Sequence, residues 1–260
     1  MNLADIMVLA DLDDTLFSTR RKIPGDQLAS SITATYASNG SHSYMTPRHR
    51  QLHDWIDPQR LIPVTARGTD AFANVDSWIC KGPYAVLANG ATVLDATGRP
   101  VKAWSDTVNA LLQPHRDQLH QFPQRIKDAA VSMNLDIRVW NVEEPSCDQA
   151  YTVVKSNLPD NGDCLRLIEN WLVDFLGENS KWYIHRNGNN LALLPPGLSK
   201  LSAARFVIEQ LSAQGNYLYI GVGDSVSDLE FMRICDFWMT PSGSQLSELA
   251  EKLANHRSVP

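Results

Sequence analysis

No apolar run in this sequence approaches the ~18–20 residues that a membrane-spanning helix needs, so no membrane partner is expected. Nor is there a basic cluster. The chain has 23 Lys and Arg against 29 Asp and Glu, a net charge of −6. Nucleic-acid affinity comes largely from Lys and Arg neutralising phosphates, so no nucleic-acid partner is expected either. The four cysteines, Cys80, Cys147, Cys164 and Cys235, form no C-x-x-C pair. That argues against a zinc site and against a disulfide-stapled scaffold. The first residues, Met1-Asn2-Leu3-Ala4-Asp5, lack the basic start of a signal peptide. The expectation is a cytoplasmic protein with reduced thiols, in which Asn39-Gly40-Ser41 is a polar turn and not a glycosylated sequon. There is no strict repeat and no low-complexity tract.

What is present is ordinary globular composition, 43% apolar and 20% charged over 260 residues, enough for one large or two modest domains. Short apolar runs read as buried strands of a parallel sheet. They are Ile6–Ala10, Leu61–Val64, Tyr84–Ala88, Tyr217–Val222 and Phe237–Met239. Pro63 disfavours a central ladder position. Between these runs lie helical patterns. Thr46-Pro47 opens one that reaches about Asp57, Ser199 opens another closed near Gly215, and Ser227 to Ile234 reads as a third. Strands alternating with helices predict an α/β fold. The middle differs: a helix at 123–133, strands near 135–142 and 149–156, a turn at Asp160-Asn161-Gly162-Asp163, a helix at 163–176, then strands near 181–187 and 190–194. This helix–strand–strand order, repeated, predicts an inserted α+β module. Residues 18–46, rich in Ser, Thr, Asn and Gly, read as a long mobile loop.

Chemistry-bearing residues gather at the ends of these elements. Asp11-Leu12-Asp13-Asp14-Thr15 follows the first strand, and Thr65-Ala66-Arg67 follows the second. Lys200 opens a helix, and Gly223-Asp224-Ser225-Val226-Ser227-Asp228 follows the fourth strand. In open α/β sheets ligands bind beyond the carboxyl ends of the strands. Phosphoryl transfer needs a nucleophile, a divalent cation and donors for the phosphoryl oxygens. Asp11, Asp13 and Asp224 in one crevice would repel one another, and a hard cation such as Mg²⁺ relieves that repulsion with oxygen ligands. A carboxylate can serve as the nucleophile. Thr65 offers a hydroxyl donor and Lys200 a positive point charge. A lysine beside a helix N-terminus is electrostatically unfavourable, which argues that Lys200 is there for function. An EF-hand loop counted from Asp11 fails, with Leu16 at position six and Lys22 at position twelve.

The acidic strand end, the Thr, the Lys and the Gly-Asp-x-x-x-Asp, in that order, resemble the haloacid dehalogenase superfamily. Ala88-Asn89-Gly90-Ala91-Thr92-Val93, the Leu198-Ser199-Lys200 opening, and an insert between the Thr and the Lys resemble its Cof-like, class IIB branch. Sucrose-phosphate and mannosyl-3-phosphoglycerate phosphatases belong to that wider group. The resemblance implies a Rossmann-like core at 1–104 and 189–260, with an α+β cap at 105–188 that closes over substrate and sets its specificity. It implies Asp11 as nucleophile and Asp13 as general acid, then general base. It implies Mg²⁺ on the Asp11 carboxylate, the Asp13 main-chain carbonyl and Asp224. Asp228 would support the metal site or orient Lys200, and Thr65 and Lys200 would bind the phosphoryl group. The implied activity is Mg²⁺-dependent hydrolysis of a small phosphorylated metabolite, a sugar or polyol phosphate, through an aspartyl-phosphate. A phosphomutase of the phosphomannomutase type is the alternative. A catalytically silent sugar-phosphate-binding protein ranks last, because all three acids are kept.

The chain departs from the branch pattern in three places. Ser227 stands where Asn is usual, Leu201 replaces a Gly, and the interval from Asp11 to Thr65 is long. Arg67, Asn89, Lys155 and Arg186 are weaker substrate-binding candidates. Each also has a bland reading, as a surface pair, a strand-ending turn or a solvated strand residue.

Overall fold

The computed structural model describes residues 6–37, 40–158 and 163–256. The first five residues, Asn39 of the sequon and the turn positions 160–162 lie outside them. In chain order the elements are β1 (Ile6–Ala10), β2 (Ser18–Thr19), α1 (Gly25–Leu28), β3 (Ile32–Thr35), β4 (Ser43–Met45), α2 (Pro47–Ile56), β5 (Leu61–Pro63), α3 (Thr69–Phe72), β6 (Tyr84–Leu87), β7 (Thr92–Asp95), α4 (Lys102–Leu112) and α5 (Arg116–Ser132). There follow β8 (Ile137–Glu144), β9 (Cys147–Ser156), α6 (Asp163–Leu176), β10 (Tyr183–Asn187), β11 (Asn190–Leu194), α7 (Lys200–Ser212), β12 (Leu218–Val222), α8 (Leu229–Met232), β13 (Phe237–Met239) and α9 (Gln245–His256). The chain forms two compact units, Met1–Val101 with Lys200–Pro260, and Lys102–Ser199.

The first unit is built on a parallel sheet of order β13-β12-β1-β5. In it Ile6 pairs with Leu218 and Val8 with Leu61. Val8, Leu9 and Ala10 are all buried, because β1 is central and helices leave neither face to water. Pro63 is tolerated because β5 has a full ladder on one side only. Thr46 caps α2 by accepting from the His49 N–H, with Pro47 at the first position. α7 buries Ala203, Ala204, Val207 and Leu211 along one stripe. A Cβ on Gly221 of β12 would lie 2.8 Å from the Met232 Cα, so α8 packs on the strand at a distance that only glycine allows.

Two expectations for this unit are corrected. β6 touches the parallel sheet at one bridge, Val64–Val86, and otherwise pairs antiparallel with β7. The reason is local: Ala88, Asn89 and Gly90 all have positive φ (49°, 55° and 96°) and turn the chain back on itself. Residues 18–46 are not one long loop. Their described part carries a three-stranded antiparallel sheet of order β2-β4-β3, with Ser18 opposite Tyr44 and Ile32 opposite Met45. Buried Phe17, Ile23, Ala34 and Met45 hold it to the core.

The second unit holds an antiparallel sheet of order β10-β11-β9-β8. α5 and α6 cover one face, burying Phe122, Ile126, Ile168 and Leu172 against Val139, Val154, Leu191 and Leu193. α5 begins at Arg116 and carries Pro123 inside it, whereas the sequence suggests a start at the proline. β11 pairs with both β9 and β10. An insert ending at 188 would part β10 from β11, whereas the compact unit runs from Lys102 to Ser199.

Candidate active site

β1, β5 and β12 run parallel, so their C-terminal ends share one edge of the sheet. Asp11 steps off β1 with its N–H on the Val222 carbonyl of β12 at 2.9 Å. Thr65 steps off β5 with its N–H on the Val86 carbonyl at 2.9 Å. Asp224 follows β12, and Lys200 opens α7. The Lys200 Nζ donates to Oδ1 of Asp11 and to Oδ1 of Asp228, each at 2.7 Å. The other oxygen of Asp228 accepts from the Ser225 N–H at 3.1 Å and from its hydroxyl at 2.7 Å. Carboxylate oxygens of Asp11, Asp224 and Asp228 lie within 4.8 Å of one another. Residues far apart in sequence thus meet in one unit.

Burial dominates the charge balance. It pushes the Asp11 carboxyl well above the usual range; Lys200 opposes that rise, and Asp228 adds to it. Burial, then repulsion from Asp228 and Asp14, pushes Asp224 up to about 6. Burial also works against ionised Asp228, but Lys200 and Ser225 outweigh it and hold its carboxyl low. For Lys200, burial is outweighed by Asp11 and Asp228, and the ammonium is held above its ordinary value. Lys200 is therefore charged, and its place at the helix N-terminus is offset by two carboxylates.

Gly223 lets this loop close. A Cβ there would fall 2.5 Å from the Asp228 Cβ and 2.8 Å from the Met232 sulfur. Gly223→Ala should cost roughly 1–3 kcal/mol by overpacking and weaken the Lys200–Asp228 contact. Chemical denaturation would measure the cost, and wild-type stability would show that the loop has slack.

The Asp13 carboxylate is not one of these three and is held by Arg67, while its charge still adds to the rise of Asp11. Arg67 Nε donates to its Oδ2 and Nη2 to its Oδ1, both at 2.7 Å. The Thr65 hydroxyl oxygen accepts the Arg67 N–H at 3.1 Å, and the Thr65 carbonyl accepts the Asn89 N–H at 3.1 Å. Asn89 is buried, with φ 55°, so its place is in the turn that braces Thr65. In the second unit, Arg186 pairs with Glu169 of α6 at 2.6 Å, on the helix-covered face. Lys155 follows buried Val154 and so takes the other face, its Nζ 6.0 Å from the Trp140 ring. Arg186 and Lys155, both weighed as substrate-binding residues, stand on opposite faces of their sheet.

Ser225 and Ser43 were not singled out from the sequence. Ser225-x-x-Asp228 is a side-chain turn pattern that could have flagged the first. Ser43 reaches Arg67 Nη2 at 3.5 Å from β4, and no local pattern signals it.

No family model matches the sequence, and no curated protein matches it. Solved structures do. A sucrose-phosphatase from Synechocystis, in complex with sucrose and phosphate, aligns over 97% of this chain and 98% of its own at 14% identity, with a TM-score of 0.55. A haloacid dehalogenase-like hydrolase from Bacteroides thetaiotaomicron aligns over 95% of this chain and 99% of its own at 13% identity, with a TM-score of 0.51. The fold of this chain is that of the haloacid dehalogenase-like hydrolases.

Proposed function

We propose that this chain is a phosphatase that hydrolyses a small phosphorylated metabolite, a sugar or polyol phosphate, through an aspartyl-phosphate on Asp11. The observation that carries the reading is Asp11 itself, bridged by Lys200 to Asp228 and close to Asp224 at the carboxyl edge of a parallel sheet. The likeness in fold to a sucrose-phosphatase supports it.

The donor set fits a hard divalent cation such as Mg²⁺. It offers oxygen alone, and burial raises both Asp11 and Asp224, a strain that a cation would relieve. Asp11 and Asp224 would hold the ion, with the Asp13 main-chain carbonyl that the resemblance adds. Bound there, Mg²⁺ supplies charge neutralisation for the phosphoryl oxygens. Asp228 has both oxygens engaged by Lys200 and Ser225, so it orients Lys200.

In the first step an Asp11 carboxylate oxygen bonds to phosphorus, and the bond from phosphorus to the leaving oxygen breaks. That oxygen takes a proton from Asp13. In the second step water bonds to phosphorus, Asp13 takes its proton, the bond to Asp11 breaks, and phosphate leaves. Lys200 and the Thr65 hydroxyl neutralise and orient the phosphoryl oxygens.

The test is phosphate release from a panel of sugar and polyol phosphates, with Mg²⁺ and with chelator. Release that needs Mg²⁺ is the expected result, and no release from any panel member would overturn the reading. Phosphate moved within a sugar without being freed would mark a mutase. Asp224→Ala should raise the Mg²⁺ concentration for half-maximal activity by roughly tenfold or more. An unchanged titration would remove Asp224 from the ligand set.

A further inference from the structure

The reading above leaves Arg67 and the sheet of residues 18–46 without a role. Arg67 grips both oxygens of Asp13 as a fork, at 2.7 Å each. The guanidinium is fixed on its other sides as well. Nη1 lies 3.4 Å from the Ala71 carbonyl, Nη2 lies 3.5 Å from the Ser43 hydroxyl, and the central carbon sits 5.3 Å from the Phe17 ring centre. Ser43 is buried and its N–H donates to the Thr35 hydroxyl at 2.9 Å, tying β4 to β3. The partners are unequally held: the Arg67 side chain is 18% exposed and that of Asp13 43%. Arg67 is the anchor and Asp13 the group it holds. An arginine meant for a phosphoryl group would present a free fork, and here Nε and Nη2 are spent on Asp13 while Nη1 lies against the Ala71 carbonyl. A carboxylate has about four lone-pair sites and the fork takes two, so the outer side of Asp13 stays open to a substrate oxygen.

We propose that Arg67, braced by the three-stranded sheet of residues 18–46, is a positioning residue that aims the Asp13 carboxyl at the leaving oxygen and does not bind the phosphoryl group. This rests on the proposed role of Asp13 in proton transfer. The consequence is selective. A sugar oxygen needs the Asp13 proton when its bond to phosphorus breaks, whereas 4-nitrophenolate leaves with the bonding electron pair unprotonated. A misplaced Asp13 therefore slows the first step for a sugar phosphate and spares it for the aryl ester. The second step still needs Asp13 to take a proton from water, so phospho-enzyme accumulates.

The experiment compares wild type, Arg67→Ala and Arg67→Lys on 4-nitrophenyl phosphate and on the best sugar phosphate of the panel, with Mg²⁺. For Arg67→Ala, kcat on the sugar phosphate should fall by roughly 10²-fold or more with KM little changed. The aryl ester should give a burst of nitrophenolate at a near wild-type rate. Guanidinium ion at non-denaturing concentration should restore part of the lost rate. Arg67→Lys, which keeps the charge and loses the fork, should fall between. Equal slowing of the first step on both esters, read for the aryl ester as a slowed or missing nitrophenolate burst, overturns the proposal, as does a rise in KM on both at constant kcat, the mark of a phosphate-binding arginine. Should Arg67→Ala not fold, Ser43→Ala removes a single brace and should show a smaller difference in the same direction; no selectivity there overturns the proposal equally. A wild-type protein that hydrolyses neither ester would instead sink the phosphatase reading itself.

Discussion

Asp11→Asn is expected to lower phosphate release by roughly 10³-fold or more, the scale on which loss of a covalent nucleophile acts, in a protein that stays folded. An amide oxygen is a poor nucleophile toward a phosphoryl group, and it cannot carry the negative charge that the first step uses. The fold should survive because Lys200 keeps its second partner, Asp228, at 2.7 Å, so the substitution leaves no buried charge alone. Burial already disfavours the ionised Asp11, and replacing it by a neutral isostere removes that cost. Thermal unfolding should therefore show a midpoint at or above that of the wild type, alongside the loss of turnover. Near wild-type activity would take the nucleophile role away from Asp11.

Lys200→Met should do the reverse, costing stability as well as activity. One buried ammonium compensates two buried carboxylates. Removing one partner of such a group leaves unpaired charge and costs about 3–5 kcal/mol. The pH dependence gives the sign. Without the lysine, the Asp11 carboxyl in the folded protein is pushed further above its unfolded value, and Asp228 loses the ion pair that holds it low. A group raised in this way contributes stability below its unfolded pKa and loses it as pH rises through the folded pKa. The variant should thus melt lowest near neutral pH and recover as pH falls toward 5. In the wild type Asp228 works the other way: its lowered carboxyl contributes stability above the usual carboxylate range, and this is lost only as pH falls below that range. Melting curves from pH 7 to 5 check the first statement, and their continuation to more acid pH checks the second. A variant whose melting point at pH 7 equals that of the wild type, or does not rise as pH falls toward 5, would show that Lys200 does not neutralise this pair.

Some elements were legible for a simple reason. β1 and β12 are short apolar runs inside the sheet and β13 is one at its exposed edge, and such runs need no partner to be recognised. α2 and α7 announced themselves by a Thr-Pro start and an apolar stripe. The sheet of residues 18–46 was not legible, because its anchors Phe17, Ile23, Ala34 and Met45 are isolated apolar residues with no strand period between them. β6 read as one more parallel strand because three residues of left-handed backbone cannot be seen in an Ala-Asn-Gly tripeptide without coordinates. The same limit applied to substrate candidates. Arg67, Asn89 and Arg186 are all polar residues near strand ends, and only their contacts distinguish a clamp on Asp13, a turn and an ion pair with Glu169.

The order of the acidic strand end, the threonine, the lysine and the second acidic loop was set by the amino-acid sequence, and with it the α/β class and the expectation of phosphoryl chemistry. Those features are local, written in runs of five or six residues. Tertiary structure alone decided that Lys200 bridges Asp11 and Asp228, and that Arg67 grips both oxygens of Asp13. The ion pairs made by Lys200 and Arg67 join positions from 28 to 189 residues apart. Which of several acids a buried cation meets depends on the ångström-scale packing of helices on a sheet, and no local pattern carries that distance.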